Sequence, residues 1–150
     1  MKIIFLDFDG VLNCAKYLKS CGPGLAIDPT RMDLLKQLVD ATDAKLVLTT
    51  SWREHWSRNL TECDPTGILI HEIFSRYGLQ ILDKTGQSPI PREAQIKSWL
   101  EAHPEVRHFV VLDDRLLSGD FLQGHFVKTS NYFDGLEEAD VQKAIDILNR

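Results

Sequence analysis

Hydrophobic residues in this chain gather in short runs, and longer stretches with helical spacing lie between them. The clearest runs are "KIIFLDF" near the N-terminus, "AKLVLTT" at 44–50 and "RHFVVLDD" at 107–114. "LQILD" at 79–83 and "HFVKTS" at 125–130 are weaker candidates. Because the strong runs are almost continuously apolar and do not alternate, we expect strands of a sheet that is covered on both faces.

Three stretches predict helices. Asp28 followed by Pro29 is typical of a helix start, and a leucine-rich face follows it. A second helix is expected from Pro91 to near Pro104, and a third from about Leu136 to Leu148. Strands alternating with helices predict an α/β fold with a doubly wound, three-layer, Rossmann-like architecture and a mainly parallel sheet.

Composition limits the class of protein. The chain has 150 residues, which fits a single domain over 1–150, with 11–27 as a flap or loop insert. A net charge of -5 argues against a broad basic face for duplex nucleic acid. No apolar run is long enough for a membrane span and no signal peptide is visible, so we expect a cytoplasmic protein without membrane contact.

The cysteines and histidines predict no site. Cys14, Cys21 and Cys63 are odd in number and form no C-x-x-C pair, so three reduced thiols are expected. The five histidines share no metal-binding spacing, and we interpret them as surface or partly buried residues.

Polar side chains stand where the strong strands end. Ligands of open α/β sheets bind beyond the carboxyl ends of the strands. The residues that this rule selects are Asp7 and Asp9 after the first strand, Thr49, Thr50 and Ser51 after the second, and Asp113 and Asp114 after a later one.

The acidic residues predict a metal site. Asp7 and Asp9 are two positions apart and would face the same way on a strand, while Gly10 lets the backbone turn close to a ligand. With Asp113 and Asp114 nearby, three or four carboxylates would repel one another unless a cation neutralised them. The candidate ligands are all oxygen atoms, which favours Mg²⁺ over zinc.

Three of these segments resemble motifs of the haloacid dehalogenase (HAD) superfamily. "DFDGV" is similar to its first motif, "LVLTTS" to its second and "VVLDD" to its fourth, in the same order between residues 5 and 114. The resemblance implies a HAD fold. It also implies a Mg²⁺-dependent phosphomonoester hydrolase that forms an aspartyl-phosphate intermediate.

The resemblance assigns roles to the acidic residues. Asp7 would be the nucleophile, and Asp9 would protonate the leaving oxygen, activate water and hold the metal through its backbone carbonyl. Asp113 would complete the metal site, and Asp114 would bind the metal directly or through water. An acid at the position of Asp9 implies an oxygen leaving group, hence a phosphatase and not a dehalogenase.

The residues that contact phosphate are less sharply defined. Thr50 is our choice for the second-motif hydroxyl, with Thr49 and Ser51 as alternatives beside it. Gly10 is a further substrate-binding candidate, because it lets the backbone approach a ligand closely.

A cation is expected near Asp7, and the resemblance places it near the start of the helix before the last motif. Arg92 is preferred there over Lys97, because a side chain at the helix start reaches the strand ends more easily. Arg53 and Arg115 directly follow the second and last motifs, and either could contact phosphate.

The length of the segments between the motifs limits which substrates can reach the site. Few residues separate the motifs, so no large cap domain is expected, and an open site admits a small phosphate or a nucleic-acid end. "LDFDGVLN" and "TTSWR" also resemble small HAD proteins related to the phosphatase domains of nucleic-acid end-repair enzymes. A 3′-end phosphatase, a non-catalytic phosphate-binding or regulatory module and a phosphotransferase remain open alternatives. No obligate protein partner is evident.

Overall fold

Five strands form one sheet in the computed structural model, which describes residues 1–86, 89–130 and 134–150. Each of the five apolar runs contributes one strand, so all five strand predictions are confirmed. The bounds differ from the runs at the ends: β1 stops at Leu6, before Asp7, and β3 continues to Lys84, one residue past its run. The strands are β1 (Lys2–Leu6), β2 (Lys45–Leu48), β3 (Ile81–Lys84), β4 (His108–Asp113) and β5 (Phe126–Lys128).

The sheet is parallel at every strand pair, in the order β3-β2-β1-β4-β5. β1 is the central strand, and its last residue Leu6 pairs with Leu48 of β2 and with Leu112 of β4. The chain proceeds outward from β1 through β2 to β3 and then returns to place β4 on the other side of β1. The crevice where the strand order reverses, between β1 and β4, is where such sheets bind ligands.

Helices cover both faces of the sheet. They are α1 (Ala15–Cys21), α2 (Pro29–Thr42), α3 (Pro65–Arg76), α4 (Arg92–Glu101) and α5 (Glu138–Leu148), and short 3-10 turns lie at Ser51–His55, Leu60–Glu62 and Asp120–Leu122. Asp28 caps α2 through the amide of Thr30, which confirms the predicted start. Segment 11–27, expected to be a flap or loop, contains the two-turn helix α1. α5 begins two residues after the predicted Leu136, because Glu137 and Asp140 form a capping box there.

The core has two parts, one on each face of the sheet. Ile4 and Leu6 of β1 pack with buried residues of α2, α3 and α5. Ile3 and Phe5 point to the other face and pack with Ile96 and Trp99 of α4. This alternation along one strand gives three layers, and the predicted doubly wound α/β fold is confirmed.

The described residues contain no large cap domain over the sheet. Between β1 and α2 the only helix is α1, which has seven residues. None of the helices in these parts of the chain is both long enough and apolar enough to cross a membrane. The carboxyl edge of the sheet is therefore left to loops.

Candidate active site

Three carboxylates meet at the crevice between β1 and β4. Asp7 follows the last residue of β1, Asp113 ends β4, and Asp114 comes next. The amide of Asp7 donates to the carbonyl of Leu112 at 3.2 Å, so the parallel pairing continues to the strand ends. One oxygen from each of the three carboxylates lies within 4.8 Å of the others. Asp7 and Asp113 are buried, whereas Asp114 is half-buried.

Arg92 is the cation at this cluster. It is the first residue of α4, and its Nη1 lies 3.0 Å from Asp7 Oδ2 and 2.7 Å from Asp113 Oδ2. Lys97 lies on the exposed side of the same helix, and the structure does not bring it to the carboxylates. The helix start reaches the strand ends, and the residue five positions later points away.

The electrostatics of the cluster oppose full ionisation. Burial raises the pKa of Asp7 to about 7, Asp113 and Asp114 act in the same direction, and Arg92 opposes them. Burial and the neighbouring Asp113 also raise the pKa of Asp114. Burial alone would lower the pKa of Arg92, but the two carboxylates outweigh it and raise that pKa. One guanidinium therefore does not neutralise all three acids.

The cluster fits a hard divalent cation such as Mg²⁺. Its three candidate ligands are carboxylates, with no thiolate or imidazole among them, and Mg²⁺ prefers oxygen. Arg92 contacts Asp7 and Asp113 but carries a single charge, so a divalent ion would offset the negative charge that remains when all three acids ionise. Asp7, Asp113 and Asp114 are the residues that would hold such an ion.

Asp9 is oriented by hydrogen bonds and lies outside this cluster of side chains. Its Oδ1 accepts from Nδ2 of Asn13 at 3.0 Å, and its Oδ2 accepts from Nε1 of Trp52 at 3.1 Å. Asn13 is fully buried, and its Oδ1 accepts from the amide of Gly10 at 3.0 Å. Asn13 therefore links the backbone of the turn after β1 to the side chain of Asp9.

Gly10 lies in a left-handed conformation that favours glycine, with φ of 83°. A Cβ at this position would lie 2.5 Å from Cγ of Asp114. Its carbonyl accepts from Oγ1 of Thr129 at 2.6 Å, so the loop after β5 also holds this turn. Gly10 thus allows the backbone after β1 to pass directly against the acidic cluster.

The three hydroxyls after β2 are placed differently from one another. Thr49 follows Leu48, which pairs with Leu6, so it stands beside Asp7 in the sheet. Its Oγ1 is buried and has no hydrogen-bond partner among the described residues. Oγ1 of Thr50 instead accepts from the amide of Trp52 at 3.3 Å, and Ser51 is exposed at the start of a 3-10 turn. The geometry favours Thr49 over our sequence-based choice of Thr50.

Arg53 is used inside the protein. Its guanidinium donates to backbone carbonyls of Thr49, Thr50, Thr85 and Gly86 and to Oε1 of Gln95, which occupies all five of its N–H groups. Burial, with Arg92 adding to it, lowers the pKa of Arg53.

The structure therefore does not offer the Arg53 side chain to a phosphate, contrary to our expectation. Arg115 directly follows the acidic pair and is exposed. Its amide donates to Asp113 Oδ1 at 2.9 Å and helps to fix that carboxylate.

Three residues that shape the site are not among those predicted from the sequence: Asn13, Trp52 and Thr129. Asn13 and Trp52 lie within the quoted segments "LDFDGVLN" and "TTSWR", so proximity to a motif was the available signal. Thr129 lies in "HFVKTS", one of the two weaker strand candidates, and only the fold brings it to Gly10.

Comparison with known proteins identifies the family. A family model described as the HAD domain in Swiss Army Knife RNA repair proteins matches residues 3–141. The chain belongs to this HAD family. Searches of curated proteins and of solved structures each found no match. HAD membership, predicted from three motifs, is confirmed, and it indicates a hydrolase of the phosphatase type.

Proposed function

We propose that this HAD domain is a Mg²⁺-dependent phosphomonoester hydrolase that works through an aspartyl-phosphate on Asp7. The observation that carries the proposal is the meeting of Asp7, Asp113 and Asp114 with Arg92 at the crevice between β1 and β4. An acidic cluster with one cation suits phosphoryl transfer, where positioning and charge compensation supply most of the catalysis.

In the first step, a carboxylate oxygen of Asp7 attacks phosphorus as the bond from phosphorus to the ester oxygen breaks. Asp9 in its protonated form gives its proton to the leaving oxygen, which departs as an alcohol. The products are the acyl phosphate on Asp7 and the carboxylate of Asp9. The Arg92 guanidinium keeps the Asp7 side chain aimed at the crevice by its contact of 3.0 Å.

In the second step, the Asp9 carboxylate takes a proton from water while the water oxygen attacks phosphorus. The acyl phosphate bond then breaks, which returns the Asp7 carboxylate, the protonated Asp9 and inorganic phosphate. The buried hydroxyl of Thr49, which has no hydrogen-bond partner among the residues that the structure describes, can donate to a phosphoryl oxygen beside Asp7. A bound Mg²⁺ would supply positive charge that offsets the carboxylates and the phosphoryl oxygens.

The test is phosphate release from a panel of an aryl phosphate, nucleotides, sugar phosphates and phosphorylated oligonucleotides. Each substrate is assayed with Mg²⁺, with EDTA, and with Asp7→Asn. The matched control is Asp33→Asn, the same change at an exposed position of α2.

We expect Mg²⁺-dependent release that Asp7→Asn abolishes and Asp33→Asn leaves unchanged. Mg²⁺-dependent binding of a phosphate ester without any release would instead identify a binding module, and the proposal would be wrong.

A nucleic-acid end is the second candidate substrate. Two observations favour it. The description of the matching family names RNA repair proteins. The part of the chain that the structure describes also holds no large cap that would exclude a polymer. The discriminating measurement is kcat/KM for an oligoribonucleotide with a 3′-phosphate against the corresponding 3′-mononucleotide. A clear preference for the oligonucleotide supports end processing, and equal values contradict it.

A further inference from the structure

Two uncharged hydrogen-bond donors contact the side chain of Asp9, one at each oxygen. Nδ2 of Asn13 and Nε1 of Trp52 lie 3.0 Å and 3.1 Å from Oδ1 and Oδ2. An indole N–H and a side-chain amide NH₂ can only donate, so both oxygens of Asp9 act as acceptors in these contacts. The rotation of the Asp9 side chain is thereby restricted from two sides.

The two donors are supported differently. Asn13 is fully buried, and its Nδ2 also donates to the carbonyl of Ala26 at 2.7 Å, so it belongs to the rigid turn. Trp52 is half-buried and comes from the segment after β2. Its backbone amide donates to Oγ1 of Thr50, which caps the 3-10 turn. This cap fixes the backbone from which the indole side chain extends.

We propose that Trp52 is a positioning residue for Asp9, whose indole N–H holds the Asp9 side chain in the orientation that meets the leaving oxygen. The inference rests on the proposed function, in which Asp9 protonates the leaving oxygen. Without the indole N–H, Asp9 would be less well placed to deliver its proton, so the rate should fall mainly where the leaving oxygen needs that proton.

The prediction depends on the leaving group. Glycerophosphate releases an alkoxide that needs a proton, whereas para-nitrophenyl phosphate releases a stable phenolate that does not. Trp52→Phe removes the N–H and keeps an aromatic ring. We expect kcat/KM to fall roughly 10-fold or more for glycerophosphate and less than about 3-fold for para-nitrophenyl phosphate.

Trp56→Phe is the matched control. It is the same substitution four positions later, at a buried tryptophan whose Nε1 has no partner within the described parts of the chain. It should change both esters by the same factor. Equal losses for both esters in Trp52→Phe would overturn the proposal in favour of a structural role, and no loss for either ester would overturn it outright.

A second measurement does not need turnover. The indole proton of Trp52 should resonate downfield in the NMR spectrum of the wild-type protein and move upfield in Asp9→Ala, while that of Trp56 stays in place. An unchanged Trp52 resonance would contradict the contact. If the wild-type protein hydrolyses no member of the substrate panel, the proposed function fails, and this resonance then decides by itself whether Trp52 holds Asp9.

Discussion

The side chains of the acidic cluster repel one another when they are ionised. Asp7 is buried next to two other carboxylates, and Arg92 offsets only part of their charge. A buried acid without full compensation destabilises the folded chain when it ionises. The groups that would hold a metal therefore carry a stability cost in its absence.

This conflict predicts a pH dependence. The pKa of Asp7 is raised from 3.8 to about 7, so the folded state binds a proton that the unfolded state has lost across that window. Stability in EDTA should therefore fall as the pH rises from 3.8 to about 7, by on the order of 4 kcal/mol from this residue. Asp7→Asn removes the ionisation, so its melting temperature relative to wild type should rise over this window and then stay level. A difference that does not change with pH would contradict the assignment.

Arg92 can be tested by its removal. Arg92→Ala leaves Asp7 and Asp113 without their shared cation, and breaking such a buried pair costs about 3 kcal/mol of unfolding free energy. Lys97→Ala changes an exposed cation on the same helix and should cost less than about 0.5 kcal/mol. Urea unfolding in EDTA measures both. Similar costs for the two variants would show that the Arg92 contacts contribute little.

At the scale of elements, the site depends on how loops and helix ends are joined. Arg53 connects the loop after β2, the loop after β3 and α4 through five donors, and Gln95 of α4 is three residues from Arg92. The side chain expected to bind phosphate instead fixes the helix that carries the cation. Such a role cannot be predicted from a motif, because it depends on which carbonyls surround the guanidinium.

One helix end offers a stabilising change. Asp43 ends α2 in the left-handed region with φ of 57°, which costs a non-glycine residue free energy. Asp43→Gly should raise the unfolding free energy by about 0.5–1 kcal/mol. Asp40→Gly, inside the same helix, should lower it by about 1 kcal/mol. Thermal melts of the two variants give the comparison, and a lower melting temperature for Asp43→Gly would be the contrary result.

At the scale of the whole molecule, the site is the product of strand order. Asp7 and Asp113 are 106 residues apart in sequence, and the pairing of Leu6 with Leu112 makes them neighbours. Apolar runs predicted all five strands, because a strand that is buried on both faces has an almost continuous run of apolar residues. The order of the acidic residues could be aligned with a family, so Asp7, Asp113 and Asp114 could also be predicted.

The rest could not be predicted because it depends on side-chain direction at strand ends and in loops. Thr49 and Thr50 are adjacent in sequence, yet the Thr49 hydroxyl has no hydrogen-bond partner in the described parts of the chain and the Thr50 hydroxyl caps a turn. Trp52 contacts Asp9 through its indole N–H although the two residues are 43 positions apart, and no periodicity in the sequence predicts that contact. Loop residues are placed by the elements around them, so a single sequence carries little information about their partners.

A metal test belongs to this scale, because binding is linked to global unfolding. If Asp7, Asp113 and Asp114 hold Mg²⁺, an ion concentration about 100 times the Kd should stabilise the fold by about 2.7 kcal/mol. The melting temperature should then rise with Mg²⁺ in the wild type and not in Asp113→Asn. An equal rise in both proteins would place the ion elsewhere.

The central position of β1 has a consequence for synthesis. β1 pairs with β2 on one side, but its other side waits for β4, where Lys2 meets His108. At ~5–20 residues per second, the nascent chain carries that unpaired strand edge for roughly 5–20 s. The four apolar residues Ile3, Ile4, Phe5 and Leu6 that precede the nucleophile remain incompletely covered during that interval. On the ribosome, this segment is the one that a holding chaperone would shield.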